Sequence, residues 1–157
     1  MDEDRYEHVL RGLGVIARLT ENKRLSIRTG QVDIDNSDKF QFLRRWWNDE
    51  DRDVCLSRVR QIFNEAINMA RGTLHDIMHI SHPSSSFDEV NQYLEKERCV
   101  RKYGRLSQAL EGAANGIQTH LVTYKKDDGF CTSVEVLVGQ VRDALHDMDM
   151  TLKATKR

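Results

Sequence analysis

"YGRLSQALEGAANGIQTHLVTY", residues 103–124, decides the fold. Tyr103, Leu106, Leu110, Ala113, Ile117, Leu121 and Tyr124 return at steps of three and four, the period that lines one face of an α-helix. Four small residues, Ala109, Gly112, Ala113 and Gly116, sit within it. An interior glycine costs about 1 kcal/mol relative to alanine. The EGAANG stretch is therefore either a break in the helix or a place where another helix approaches closely. Upstream, Val90 and Leu94 start a similar stripe, but Glu97, Arg98 and Arg101 occupy the positions that should continue it. An unbroken helix from Phe87 to about Lys126 would be roughly 60 Å long at 1.5 Å per residue. The first helix of the chain would reach less than half of that. Either EKERCVRK (95–102) projects past the bundle as solvated helix, or the chain bends there or at Gly112–Gly116.

The same period recurs on both sides of this segment. Tyr6, Val9, Leu10, Leu13, Ile16 and Ala17 predict a first helix that stops near Thr20, with Asp2, Glu3 and Asp4 at the positive end of its dipole. Cys55, Val59, Ile62, Phe63, Ala66, Met69, Ala70, Ile77 and Met78 predict another, running to about His79 and ending before Pro83. Asp49, Glu50 and Asp51 would crowd its start, with Asn48 or Asp49 as the cap. Ser86 and Glu89 form a capping box for the segment that follows, and Gly129 reads as the stop of that segment. Thr132 and Glu135 form a second box, before a last helix carrying Val134, Leu137, Val138, Val141, Leu145, Met148 and Leu152. Between the first two helices, Leu25, Ile27, Val32 and Ile34 alternate around Gly30, which predicts a small β-hairpin or an extended strap. A short helix with Phe40, Phe42, Leu43, Trp46 and Trp47 comes next. The expected fold is all-α: one helical domain over residues 1–157, a bundle of four main helices plus the short tryptophan helix and the strap or hairpin.

Composition narrows the function classes. Twenty-four Lys and Arg face 25 acids in 157 residues, so the formal net charge is -1, which argues against a general polyanion binder. The 39% hydrophobic share suffices for a core. No apolar run approaches the ~20 residues that a membrane span needs, and MDEDRYEHV is too acidic for a signal peptide. A soluble, non-secreted protein without membrane insertion is expected. Cys55, Cys99 and Cys131 are scattered without a C-x-x-C spacing, which fits buried reduced thiols.

His75, His79 and His82 stand at i, i+4 and i+7 with Asp76 beside them, a spacing that could put imidazoles on one helix face around a metal ion. The H-E-x-x-H arrangement is missing, however, and histidines near a helix end are favoured by its dipole without any metal. The chain has no nucleophile elbow, glycine-rich phosphate loop or P-loop lysine, so neither catalysis nor a cofactor is expected. Basic residues gather at Lys23, Arg24 and Arg28, at Arg44 and Arg45, and at Arg98, Arg101, Lys102 and Arg105. With the tryptophans they could line phosphates and stack bases, which makes a nucleic-acid-associated module the alternative reading. Neighbouring acids such as Glu95 and Glu97 offer the simpler explanation of solvated ion pairs.

The tryptophan segment points toward protein partners. On a helix, Phe40, Leu43 and Trp47 share one face and Phe42 and Trp46 another, so a single bundle surface cannot cover both. Trp47 is expected in the core and Trp46 at a strap or partner contact, and Trp and Arg are enriched among interface hot spots. "LGVIARLTENKRLSIRTGQVDI" (13–34) followed by "FLRRWWNDEDRD" (42–53) resembles a pattern in small helical proteins of nucleocytoplasmic large DNA viruses. There, a helix leads through an N-x-K/R-L-S/T turn and an extended segment to an arginine-tryptophan helix and an acidic helix start. The resemblance implies a virion or virus-factory protein in infected-cell cytoplasm, a minor capsid or internal scaffold component, with no catalytic residues to transfer. The expected function is a non-enzymatic structural protein that cements larger virion subunits, with self-association a further possibility. Its expected partner contacts are Trp46, Phe42, Arg44, Arg45, Arg98, Arg101 and Arg105.

Overall fold

The computed structural model describes residues 2–20, 44–45, 52–80, 89–122 and 128–155. Four long helices emerge: α1 (Asp2–Thr20), α2 (Arg52–Ile80), α3 (Glu89–Ile117) and α4 (Asp128–Thr155). No strand occurs among the described residues. The strap or hairpin of residues 22–35 and the tryptophan pair lie outside them, as do His82 and Phe42.

The helices close around one hydrophobic cluster to which all four contribute. Tyr6, Leu13 and Ile16 enter it from α1, and Phe63 and Ile77 from α2. Leu106, Leu110 and Ile117 enter from α3, and Val134 and Leu137 from α4. These are the residues whose spacing predicts the helices, and each is at most 2% exposed. Thr73 is buried among them, and its hydroxyl donates to the Met69 carbonyl at 2.9 Å, so it leaves no unsatisfied polar group.

Cross-contacts fix the helix directions. Gly12 meets Ala113 and His8 meets His120, so α1 and α3 run antiparallel. Tyr103 meets Asp149 and Asn115 meets Arg142, so α3 and α4 do too. Only eight residues separate Ile80 from Glu89, and Asp76 lies close enough to act electrostatically on Cys99, so α2 and α3 also reverse. Helix α3 therefore runs against the other three, and α1 and α2 point the same way. Between them, the Arg44 guanidinium carbon lies 3.9 Å from the centre of the Tyr6 ring, beside the start of α1.

Several boundaries differ from the sequence reading. Helix α3 is not broken at EGAANG; it stays α-helical through Gly112 and Gly116 and changes to a π-helical turn only at Gln118–Val122. Close approach is the reading that holds. A Cβ placed on Gly12 would lie 3.1 Å from the Ala113 Cα, and one on Gly116 would lie 4.0 Å from the His8 carbonyl oxygen. Gly112 has nothing within 4 Å. Gly129 does not stop a helix. Helix α4 already starts at Asp128, so Thr132 and Glu135 sit inside it and do not cap it. Met78, expected on the buried face of α2, is 38% exposed.

Candidate interaction surface and a histidine stack

The start of α3 shows why its apolar stripe fails in the sequence. Successive helical residues turn by about 100°, which places Val90, Leu94, Glu97 and Arg101 within about 60° of one another. The buried stripe begins at Cys99, half a turn round from Val90, and continues through Tyr103, Leu106 and Leu110. Val90 and Leu94 thus belong to the face pointing away from the bundle. They are 65% and 54% exposed, and Tyr93 beside them is 63% exposed. The core claims α3 only from Cys99 onward, and the two turns before it carry apolar side chains that none of the other helices covers.

Charge follows the apolar residues along this face. Arg101, Lys102 and Arg105 are exposed. The Arg98 guanidinium donates to the Glu95 carboxylate at 2.6 Å, and that bond, with the acid's charge, holds Arg98 protonated more firmly than usual. The Cys99 thiol lies beneath this pair, 3.9 Å from the Glu95 oxygen. Burial pushes its pKa up, Glu95 and Asp76 push it further, and the result is an inert thiol. Cys55 is likewise buried, and neither residue forms a disulfide.

The two described basic sets do not converge. Arg44 packs over Tyr6, at the end of the bundle where α1 begins and α3 finishes, while Arg45 beside it is exposed. Arg98, Arg101 and Arg105 occupy the other half of α3, roughly 20 Å away along the helix axis. A single phosphate track joining them would have to run the length of the bundle. No protein-family model, curated protein or solved structure matches this chain.

His75 and His79 lie on the exposed side of α2, their rings 6.4 Å apart and inclined by 19°. Among the described residues no three His, Cys, Asp or Glu side chains come together as a metal site. His75 also edges an open groove of about 200 Å³ between α2 and α4, lined by Arg71, Leu74, Met78, Asp147, Met148 and Thr151. No helix is long and apolar enough to cross a membrane, among the described residues.

A second constellation carries no sequence signal, because its members are far apart in the chain. His8 of α1 and His120 of the π-helical turn stack face to face, with ring centroids 4.6 Å apart and planes 3° from parallel. The small residues Gly12, Ala113 and Gly116 let α1 lie close enough for this. His120 Nδ1 is buried and has no hydrogen-bond partner among the described residues. Burial, then His8, then Arg5 lower the His120 pKa from its ordinary 6.5. π-Helical turns inside α-helices recur at functional sites.

On the opposite side of α3, the Tyr103 hydroxyl donates to Asp149 at 2.7 Å and ties α3 to α4. Burial and this bond push the phenol's pKa far above its usual range.

Proposed function

We propose that the protein is a non-enzymatic structural adaptor that docks onto a larger protein through the outward face at the start of α3. One observation carries this reading: Val90, Tyr93 and Leu94 form an exposed apolar group on the face of α3 opposite its buried stripe. Burying a large apolar side chain is worth about 1.5–3 kcal/mol, so three together supply the anchor of a helix-in-groove or helix-on-helix contact. Arg101 and Arg105 continue the same face, which suits a partner segment that is amphipathic and acidic. The viral resemblance gives the setting: a minor capsid or internal component cementing larger virion subunits, in the virion or virus factory. On the sequence reading, Arg98 extends the contact, while Trp46, Phe42, Arg44 and Arg45 make a second one, since Arg44 lies at the other end of the bundle; a second copy of the chain is a further partner.

The test places a photo-crosslinker at Tyr93 in the native particle or factory extract and identifies the attached peptide by mass. An acidic helical segment of another structural protein is the expected product, lost in a Val90→Asp, Leu94→Glu double variant whose circular dichroism is unchanged. Truncating such an anchor typically loses about 2 kcal/mol or more of binding. Undiminished capture by the double variant defeats the proposal. Retention on DNA that weakens steeply with salt would instead favour the nucleic-acid reading.

A further inference from the structure

We infer that the His8–His120 stack is an acid-sensitive latch, closed on α1 at neutral pH and released in mild acid, so that the π-helical turn loosens without the core opening. The geometry supplies the mechanism. Two imidazoles lie in parallel planes at a 4.6 Å centroid separation, a comfortable arrangement for two neutral rings or one neutral and one charged. Protonating both would set like charges face to face. The His120 Nδ1 is enclosed with no partner among the described residues, so a proton arriving there would have no acceptor unless the turn moved.

The surrounding charges do not relieve this. From α1, His8 and Arg5 bear on His120, and both disfavour its protonated form. Asp4 and Glu7 on α1 are exposed, and Glu7 faces Arg11 at 3.6 Å. On α4, which packs on the other side of the turn, Glu135 is the described acid along the same stretch, and it is exposed. Arg142 is occupied with Asn115 at 2.7 Å. Because the closed form binds the proton less well than the open form, closure is fully favoured above pH 6.5. It is progressively lost as the pH falls from 6.5 toward the lowered value. The inference is independent of the docking surface on α3, which lies toward the opposite end of that helix.

Amide hydrogen exchange on the full chain reads the latch directly. From neutral pH to about 5, protection of residues 118–122 should fall by about tenfold for each unit by which the His120 pKa lies below its ordinary value, after correction for intrinsic exchange. The core amides of α2 should keep their protection over the same range. His120→Gln keeps a polar side chain that cannot titrate and should make the turn's protection independent of pH. His8→Gln, at an exposed position, should shrink the acid loss, because the closed-form His120 pKa moves back toward its ordinary value. Unchanged protection of residues 118–122 in the folded wild type, or an acid response in His120→Gln equal to that of wild type, overturns the latch.

Discussion

Gly12→Ala probes the close contact between α1 and α3. Alanine is the better helix former by about 1 kcal/mol, so propensity alone favours the substitution. The structure opposes it. The new methyl would sit 3.1 Å from the Ala113 Cα and 3.4 Å from its Cβ, where ordinary carbon contacts are about 3.5–4.0 Å. The nearer atom is helix backbone, which cannot rotate out of the way as a long side chain would. Relief requires α1 and α3 to part along a seam that also holds Leu13, Ile16, Leu110 and Ile117. Overpacking of this kind costs about 1–3 kcal/mol. The two effects leave Gly12→Ala between neutral and about 2 kcal/mol destabilising. Gly112→Ala is the internal control. Its site has nothing within 4 Å, so it should gain most of the about 1 kcal/mol of propensity. Thermal and urea unfolding followed by circular dichroism should separate the two variants by about 1–3 kcal/mol, each kcal/mol shifting Tm by about 2–4 °C in a domain of this size. If Gly12→Ala stabilises as much as Gly112→Ala, the close seam between α1 and α3 is refuted.

Tyr103→Phe should cost about 1 kcal/mol by removing the hydroxyl that binds Asp149. A raised folded pKa means this contribution is intact below about pH 10 and is lost as pH climbs, so ultraviolet titration should show one fewer tyrosine resisting ionisation in the variant than in the wild type. Arg44→Ala should lower stability by about 0.5–2 kcal/mol through loss of the cation–π contact with Tyr6, while Arg45→Ala should change it by less than about 0.5 kcal/mol in the same melts. Cys55 and Cys99 should react with a thiol reagent far more slowly in native protein than in urea; rapid native labelling of Cys99 would contradict its buried, raised-pKa environment.

Helix phase was the most legible property of the sequence. Wherever apolar residues recur at steps of three and four against a polar background, as in α1 and α4, the buried face and the observed core coincide. Period alone does not say which way a face points, and Val90 and Leu94 show the consequence. They keep helical spacing, yet they lie half a turn from Cys99 and Tyr103, and only the change of phase between the two groups marks them as outward. Glycine was ambiguous for a similar reason. Gly112 and Gly116 could have broken α3; Gly112 instead meets nothing, while Gly116 faces the His8 backbone and Ala113 meets Gly12, partners roughly a hundred residues away that no local pattern links to them. Turn chemistry misled at Gly129 and Thr132, where α4 extends over residues that prefer a boundary. The histidine stack and the α2–α4 groove join distant segments, and their residue types alone give no hint of either.

The antiparallel pairing of α1 with α3 also bears on how the chain is made. Helix α1 leaves the ribosome first, but its seam on α3 is completed only when Ile117 has emerged. At about 5–20 residues per second, the roughly 100 intervening residues take about 5–20 s to synthesise. For that interval the apolar face of Tyr6, Val9, Leu13 and Ile16 lacks its α3 partner. The hairpins of α2 with α3 and of α3 with α4 close over short sequence distances, so they can form as soon as their second helix is out. During synthesis, α1 is therefore the helix that waits, and its exposed face is the natural target for a holding chaperone.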